Sequence, residues 1–308
     1  MISIHQKPPS FAEDEVCLQV MAAGLCRSDL AIIAGEWGTG KYIPGHEFSG
    51  RVLLSGAQAK ADFPELKQDQ AVCVNPLIGC GQCNWCQAEQ PEHCEHSQML
   101  GLHRDGCFSA YVTVPARACV IPEMAPVTRT QWAMLAYAEP VAAALGVLRA
   151  IPEQGLQNIA IVGHNRIARL TRMILAQHHL EATCVDFKHL NASVHQRAYD
   201  IIIEAGLPFH KDDQAMARVL SALKTGGRCL LKSRHVNTVS VNLSALVRRD
   251  LRLQGLYYGN FAQAVQLLTQ LDLNPLMGEF YEADQYDAFL DSSKTGESYK
   301  AFLFPGWV

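Results

Sequence analysis

A two-domain α/β protein is predicted from three features of this 308-residue chain. Its first ~125 residues carry short apolar and β-branched runs cut by Gly and Pro. From Asn158 onward, short apolar runs alternate with stretches of helical periodicity. The length is sufficient for two separate cores.

Taken in order, Val16–Val20, Arg51–Leu54, Ala71–Val74 and Ala110–Val114 are predicted strands. From about Gln131 the run WAMLAYAEPVAAALGVLRA is rich in Ala and Leu on a helical period, which predicts one long helix. Asn158–Val162 is a short apolar strand ending at Gly163, and Ile167, Leu170 and Ile174 share one face of the helix after it. Ala182–Asp186, Asp200–Glu204 and Arg228–Leu231 continue the strands, with helix over Gln214–Leu223. Strand, helix, strand repeated in this way predicts a parallel sheet with right-handed crossovers.

Only thirteen residues, FKHLNASVHQRAY, separate Asp186 from Asp200. A crossover needs at least ~10–12 residues, so there is room for one and none for a further strand. In the doubly wound order 3-2-1-4-5-6 the strand left out is strand 3, at the edge. The sheet therefore survives its loss.

Composition excludes several classes. Hydrophobic content of 49% and charged content of 18% fit an ordinary globular protein. A net charge of −4 without a basic stripe argues against a nucleic-acid or anionic-membrane partner. The start, MISIHQKPPSFAEDEV, lacks the apolar core of a signal peptide, and no apolar run approaches the ~20 residues that span a bilayer. Eleven cysteines without an export signal point to a reducing compartment, so a cytoplasmic location is expected.

The cysteines also carry the chemistry. Cys80, Cys83, Cys86 and Cys94 place four thiolates within fifteen residues, interleaved with Gly79, Gly81, Asn84 and Pro91. That spacing suits a closed tetrahedral zinc shell, which has no open position and holds structure only. A second set is expected to be open. Cys26 lies in a turn after a strand, His46 has Glu47 beside it, and Glu139 opens a helix. One Cys, one His and one or two carboxylates leave a coordination place for water or substrate, as in a catalytic zinc site.

In this order GLCRSD, PGHEFSG, the four-cysteine lobe, DGCFSAYVTVP, AEPVAAAL, the glycine turn, DIIIEAG and YKAFLFP resemble the zinc-dependent medium-chain dehydrogenases/reductases. That superfamily includes the alcohol, sorbitol, threonine and butanediol dehydrogenases. The resemblance implies a GroES-like, mainly β catalytic domain from residues 1–135 with a C-terminal return at 271–308. A Rossmann-type nucleotide-binding domain would occupy 136–270, here lacking edge strand 3, with the active site in the cleft and assembly as a homodimer or homotetramer. It implies two zinc ions per chain and hydride transfer between a small secondary alcohol or polyol, or its ketone, and NAD. Ser28 stands where the family passes the alcohol proton onward. Glu47 or Glu139 either ligates the metal or holds its water, and the sequence leaves both open. Arg27 and Lys300 match basic residues that reach the cofactor phosphates.

Three departures from the family accompany these matches. The phosphate loop G-x-G-x-x-G is here Gly163-His164-Asn165-Arg166-Ile167-Ala168. Ala168 is an accepted variant, whereas the side chain of Asn165 takes space that a pyrophosphate approaches, even though Asn tolerates an unusual φ. The helix N-terminus and Arg166 still favour an anion. The edge strand is missing. Ala31 replaces a relay histidine. Asp186, twenty-three residues beyond Gly163, is placed to accept from the ribose 2′-hydroxyl and to repel a 2′-phosphate, which favours NAD over NADP. The departures motivate an alternative, a divergent non-catalytic member that keeps zinc and fold but binds NAD weakly or not at all.

Overall fold

The computed structural model describes residues 8–38, 40–152, 158–190, 193–207, 214–234, 238–292 and 299–306. It divides into two compact units, residues 1–142 with 260–308, and residues 143–259.

The first unit is built on β1 (Glu15–Gly24), buried along its whole length. The turn after it leads into helix α1 (Arg27–Ile33). Strand β2 (Glu47–Ser55) pairs antiparallel with β1. It starts four residues earlier than its apolar run, because the polar part of PGHEFSG is satisfied inside: Ser49 Oγ donates to the Trp132 carbonyl at 2.7 Å. Helix α2 (Ala57–Asp62) and strands β3 (Ala71–Val74) and β4 (Leu77–Ile78) follow. The cysteine lobe contains α3 (Asn84–Gln87), and β5 (Gln98–Met99) closes it by pairing with β4. Strand β6 (Tyr111–Pro115) pairs with the first half of β1, and β7 (Cys119–Val120) with β3.

The predicted long helix is two helices. Thr128 caps α4 (Arg129–Ala136), accepting from Gln131 N at 3.3 Å, and α5 (Ala138–Leu145) begins after Tyr137. Pro140 explains the break: its ring would clash with the carbonyl of Ala136 in a continuous helix, but it is tolerated in a first turn. By length and composition alone, Arg129–Ala150 is apolar enough to cross a membrane. Of its apolar window, 78% is buried inside the protein, as in a core helix.

The second unit holds a parallel sheet of β8 (Ile159–Val162), β9 (Ala182–Val185), β10 (Tyr199–Glu204), β11 (Leu223–Leu231) and β12 (Arg252–Gly255). Among the described residues its order is β12-β11-β10-β8-β9. Helix α6 (Arg166–Gln177) joins β8 to β9, α7 (Ala215–Ala222) leads into β11, and α8 (Leu243–Arg248) precedes β12. Between β9 and β10 the described residues form two short 3₁₀ turns and no strand, and residues 191 and 192 of that crossover lie outside the description. Both faces of the sheet are covered, as parallel sheets require. Ala160, Val162 and Ile202 belong to one core, and Ile159, Ile161, Ile201 and Ile203 to the other.

The chain then rejoins the first unit through α9 (Phe261–Leu267), β13 (Met277–Glu282), α10 (Tyr286–Asp291) and β14 (Lys300–Phe304). Strand β14 pairs antiparallel with the end of β1, opposing Gly24 to Phe302, and parallel with β13. The boundaries fall at 142/143 and 259/260, against an expected 135/136 and 270/271. At the first boundary, residues past 135 stay tied to the first unit, as where Tyr137 Oη donates to the Leu276 carbonyl at 2.6 Å.

Candidate functional site

The residues around Cys26 are organised by a side chain that the sequence reading passed over. Cys26 sits at the N-terminus of α1 with an extended backbone, φ −110° and ψ 151°. Asp29, three residues on and fully buried, accepts from Cys26 N through Oδ2 at 3.0 Å. Its Oδ1 accepts from Gly45 N at 3.2 Å and from His46 Nδ1 at 2.7 Å. One carboxylate thus ties the cysteine turn to the histidine loop. A Cys-x-x-Asp run opening a helix resembles a capping box, and that was the available signal.

With Nδ1 committed to Asp29, His46 presents Nε2 to the site. That nitrogen lies 3.4 Å from Ser28 Oγ and 3.8 Å from Glu139 Oε1. Ser28 Oγ donates to Cys26 Sγ at 3.0 Å. The ligand atoms of Cys26, His46 and Glu47 all fall within 4.8 Å of one another. Ligand atoms of a tetrahedral zinc with ~2.0–2.3 Å bonds sit about 3.3–3.8 Å apart, so this donor set fits the metal. Burial works against a charged imidazole, but the charge and hydrogen bond of Asp29, with Cys26, outweigh it and hold His46 well above its usual pKa. Gly45 is required here: φ is +101°, and a Cβ would lie 2.6 Å from Phe108 Cδ1 and 2.7 Å from Cys107 Sγ.

Lys300 lies beside this set. Its side chain is completely buried and pairs with Glu47 Oε2, while its Nζ also donates to the Leu25 carbonyl at 3.3 Å. It lies 5.7 Å from the centre of the Tyr137 ring. A buried ammonium engaged in this way balances the charge of Glu47. Glu139, 4% exposed, approaches His46 from α5.

In the cysteine lobe the sulfurs of Cys80, Cys83, Cys86 and Cys94 converge within 4.8 Å. The Cys80–Cys86 separation is 4.0 Å, close to the ~3.8 Å edge of a ZnS₄ tetrahedron. Backbone N–H groups of Gln82 and Cys83 push Cys80 down to about 6, whereas burial and the neighbouring sulfurs push Cys86 up to about 12. Four thiolates this close repel, and a dication relieves that repulsion. Gly79 admits no side chain, since a Cβ would lie 2.4 Å from Cys86 Sγ. Arg117 Nη2 donates to the Gly79 carbonyl at 3.1 Å and anchors the lobe.

The glycine turn belongs to the second unit. Gly163 adopts φ +136°, and a Cβ there would strike the Ala205 carbonyl oxygen at 2.0 Å. Asn165 has an ordinary φ of −76° and caps α6, accepting from Ala168 N at 3.0 Å. The positive φ of this turn lies at Gly163, and the Asn165 side chain occupies the Ala168 N–H at the helix terminus. Arg166 follows at the first turn of α6, half-buried. At the end of β9, Asp186 Oδ1 accepts from Lys188 N at 2.9 Å, and Oδ2 lies 3.7 Å from His164 Nε2. These contacts, led by the Lys188 N–H, keep its pKa below 3.8. Arg27, at the first turn of α1, is exposed.

Comparison with known proteins agrees with this architecture. The alcohol dehydrogenase GroES-like domain model matches residues 12–123. The L-threonine 3-dehydrogenase of Anaeromyxobacter sp. (strain K) is 24% identical over 331 aligned positions, spanning 97% of this chain and 94% of that protein. Galactitol-1-phosphate dehydrogenase from Escherichia coli superposes with a TM-score of 0.79 at 20% identity, covering 98% of this chain and 96% of its own. Acetophenone reductase from Geotrichum candidum NBRC 4597, in complex with NAD, gives 0.80 at 18% identity, covering 97% and 91%. Residues 12–123 thus match the alcohol dehydrogenase GroES-like domain, and over nearly its whole length the chain is similar in sequence and fold to these dehydrogenases.

Proposed function

We propose that this protein is a zinc-dependent dehydrogenase that moves hydride between a small secondary alcohol or polyol, or the matching ketone, and NAD. The observation that carries this reading is the convergence of half-buried Cys26 with buried His46 and Glu47, with Asp29 orienting the imidazole. A structural protein has no use for such an open donor set beside a closed one. The activities of the relatives, threonine 3-dehydrogenase and galactitol-1-phosphate dehydrogenase, support oxidation at a carbon bearing a hydroxyl.

Zinc held by Cys26, His46 and a carboxylate would polarise the substrate oxygen, an effect that lowers the pKa of bound water from ~15.7 to ~7. The chain's own residues do the rest. Asp29 fixes the tautomer of His46. Ser28, within hydrogen-bond distance of the cysteine sulfur, takes the alcohol proton and passes it to water, since Ala31 offers no onward group. Lys300 keeps Glu47 oriented at the edge of the site. Gly163, the α6 N-terminus with Arg166 and Ala168, and Asp186 would receive the dinucleotide, and Arg27 would add charge for its phosphates. Homodimeric or homotetrameric assembly is part of the proposal.

Asn165 favours the second reading, a non-catalytic member, because its side chain already caps Ala168 N. Calorimetric titration of the zinc-loaded protein with NADH, followed by assay on a panel of secondary alcohols and polyols, decides between them. Micromolar binding with turnover supports the dehydrogenase. No binding at millimolar NADH would overturn it.

A further inference from the structure

A buried carboxylate in the second unit has no part in the site described so far. Glu204 ends β10 and is fully buried. A carboxylate withdrawn from water is tolerated only when its oxygens are well bonded. Glu204 Oε1 accepts from Gly206 N at 2.8 Å and from Leu207 N at 2.9 Å, and Oε2 accepts from Ser233 N at 3.0 Å. Gly206 and Leu207 follow β10, while Ser233 follows β11. One side chain therefore bridges two loops at the C-terminal edge of the parallel sheet, where open α/β sheets hold their ligands.

The neighbouring loops are joined to this bridge. A Cβ on Gly206 would lie 2.6 Å from Asn165 Nδ2, and the Ala205 carbonyl closes on Gly163. On the other side Lys232 N donates to the Glu204 carbonyl at 3.0 Å. Its Nζ donates to the carbonyls of Leu256 at 3.1 Å and Tyr257 at 2.6 Å, after β12. Three converging N–H donors need an acceptor-only group with two oxygens. A glutamine would turn its own N–H₂ toward at least one of them.

We infer that Glu204 is the positioning residue of the dinucleotide crevice: it fixes the Gly206–Leu207 turn, so holding Gly206 against Asn165, and sets the clearance above the N-terminus of α6. The inference rests on the dinucleotide binding proposed above. It makes the glycine turn and the loop after β10 one unit, with the shape of the first depending on the charge of a residue behind the second.

The test is a double-mutant cycle on the zinc-loaded full chain, with NADH titrated calorimetrically into wild type, Glu204→Gln, Asn165→Gly and the double variant. Glu204→Gln is expected to weaken NADH at least tenfold and to speed amide exchange at Gly206, Leu207 and Ser233 while leaving exchange in the zinc-bearing unit unchanged. In the Asn165→Gly background the loss should shrink several-fold, because the contact through which Glu204 acts is gone. A general contribution to folding would give equal losses in both backgrounds, and that result overturns the inference, as does unchanged NADH affinity in Glu204→Gln. Should Glu204→Gln not fold, Glu204→Asp runs the same cycle, keeping the charge one methylene short of Ser233, under the same criteria. Wild type that fails to bind NADH defeats the proposed function along with this role, whereas binding wild type with an unaffected variant defeats the role alone.

Discussion

Asp29 Oδ1 sits 2.7 Å from Nδ1 of His46, both side chains fully buried, while its Oδ2 accepts from the backbone of Cys26. Two metal-ligand candidates twenty residues apart are thereby aligned by one carboxylate. Partners of this kind typically govern ~10–100-fold in metal affinity. Asp29→Asn should weaken zinc binding at the Cys26 site by about that factor and leave the four-cysteine lobe loaded. Chelator competition with metal analysis checks this. Equal zinc retention by variant and wild type would show that Asp29 only caps α1.

Two zinc ions per chain with different lability are expected. The sulfurs of the lobe form a closed shell, whereas the Cys26 set leaves a position open to competing ligands. Mild chelation should remove one equivalent and leave the circular dichroism of the folded protein intact. A single equivalent in carefully loaded protein counts against the second site.

Gly24 reports on the buried pair beside the metal site. A Cβ there would lie 2.9 Å from Lys300 Cδ and 3.0 Å from Glu47 Oε2. Both partners are buried, so Gly24→Ala should cost about 1–3 kcal/mol of stability, as overpacking does. Urea denaturation of zinc-loaded protein measures it. A variant as stable as wild type would mean that the pair is looser than its burial implies.

How far the sequence was legible depended on how local each signal is. The four-cysteine lobe needs fifteen contiguous residues, and its convergence could be read directly. The order of the parallel strands follows from alternation and one short crossover. The pairing of Lys300 with Glu47 was not legible because the two lie 253 residues apart across the β1–β14 pairing, and no local pattern reports that register. Asp29 escaped notice because a helix-opening acid has an ordinary capping role. The broken helix before Pro140 is a local effect that propensity alone overlooks.

The Asp186 carboxylate gives a pH dependence of known sign. Its folded-state pKa lies below 3.8, led by the Lys188 N–H, so its stabilising contribution is fully present above the unfolded value. It is lost as pH falls through the lower folded-state value. The stability difference between wild type and Asp186→Asn should be constant above about pH 5 and fade in stronger acid. For binding, Asp186→Ala should weaken NAD by ~1–3 kcal/mol and narrow its advantage over NADP. Unchanged affinity for both would confine Asp186 to capping the turn after β9.

Asn165 offers the most direct test of the cofactor site. Its Oδ1 accepts from Ala168 N at 3.0 Å, and removing the side chain has two separable effects. The cap is lost, but Gly is itself a fair capping residue, so stability should fall by only a few tenths of a kcal/mol. The freed N–H and the cleared space become available to a pyrophosphate, and a hydrogen bond to a charged group is worth ~1.5–3 kcal/mol. Part of that gain is offset by ordering the loop, which leaves about tenfold tighter NADH binding, or ~1.4 kcal/mol. Thermal denaturation and calorimetric titration of Asn165→Gly against wild type read the two effects independently. Tighter binding with near-wild-type stability places the pyrophosphate on α6. Unchanged binding would mean that the dinucleotide, if held, does not use this helix terminus, and weaker binding would mean that the Asn165 amide itself is the ligand's partner.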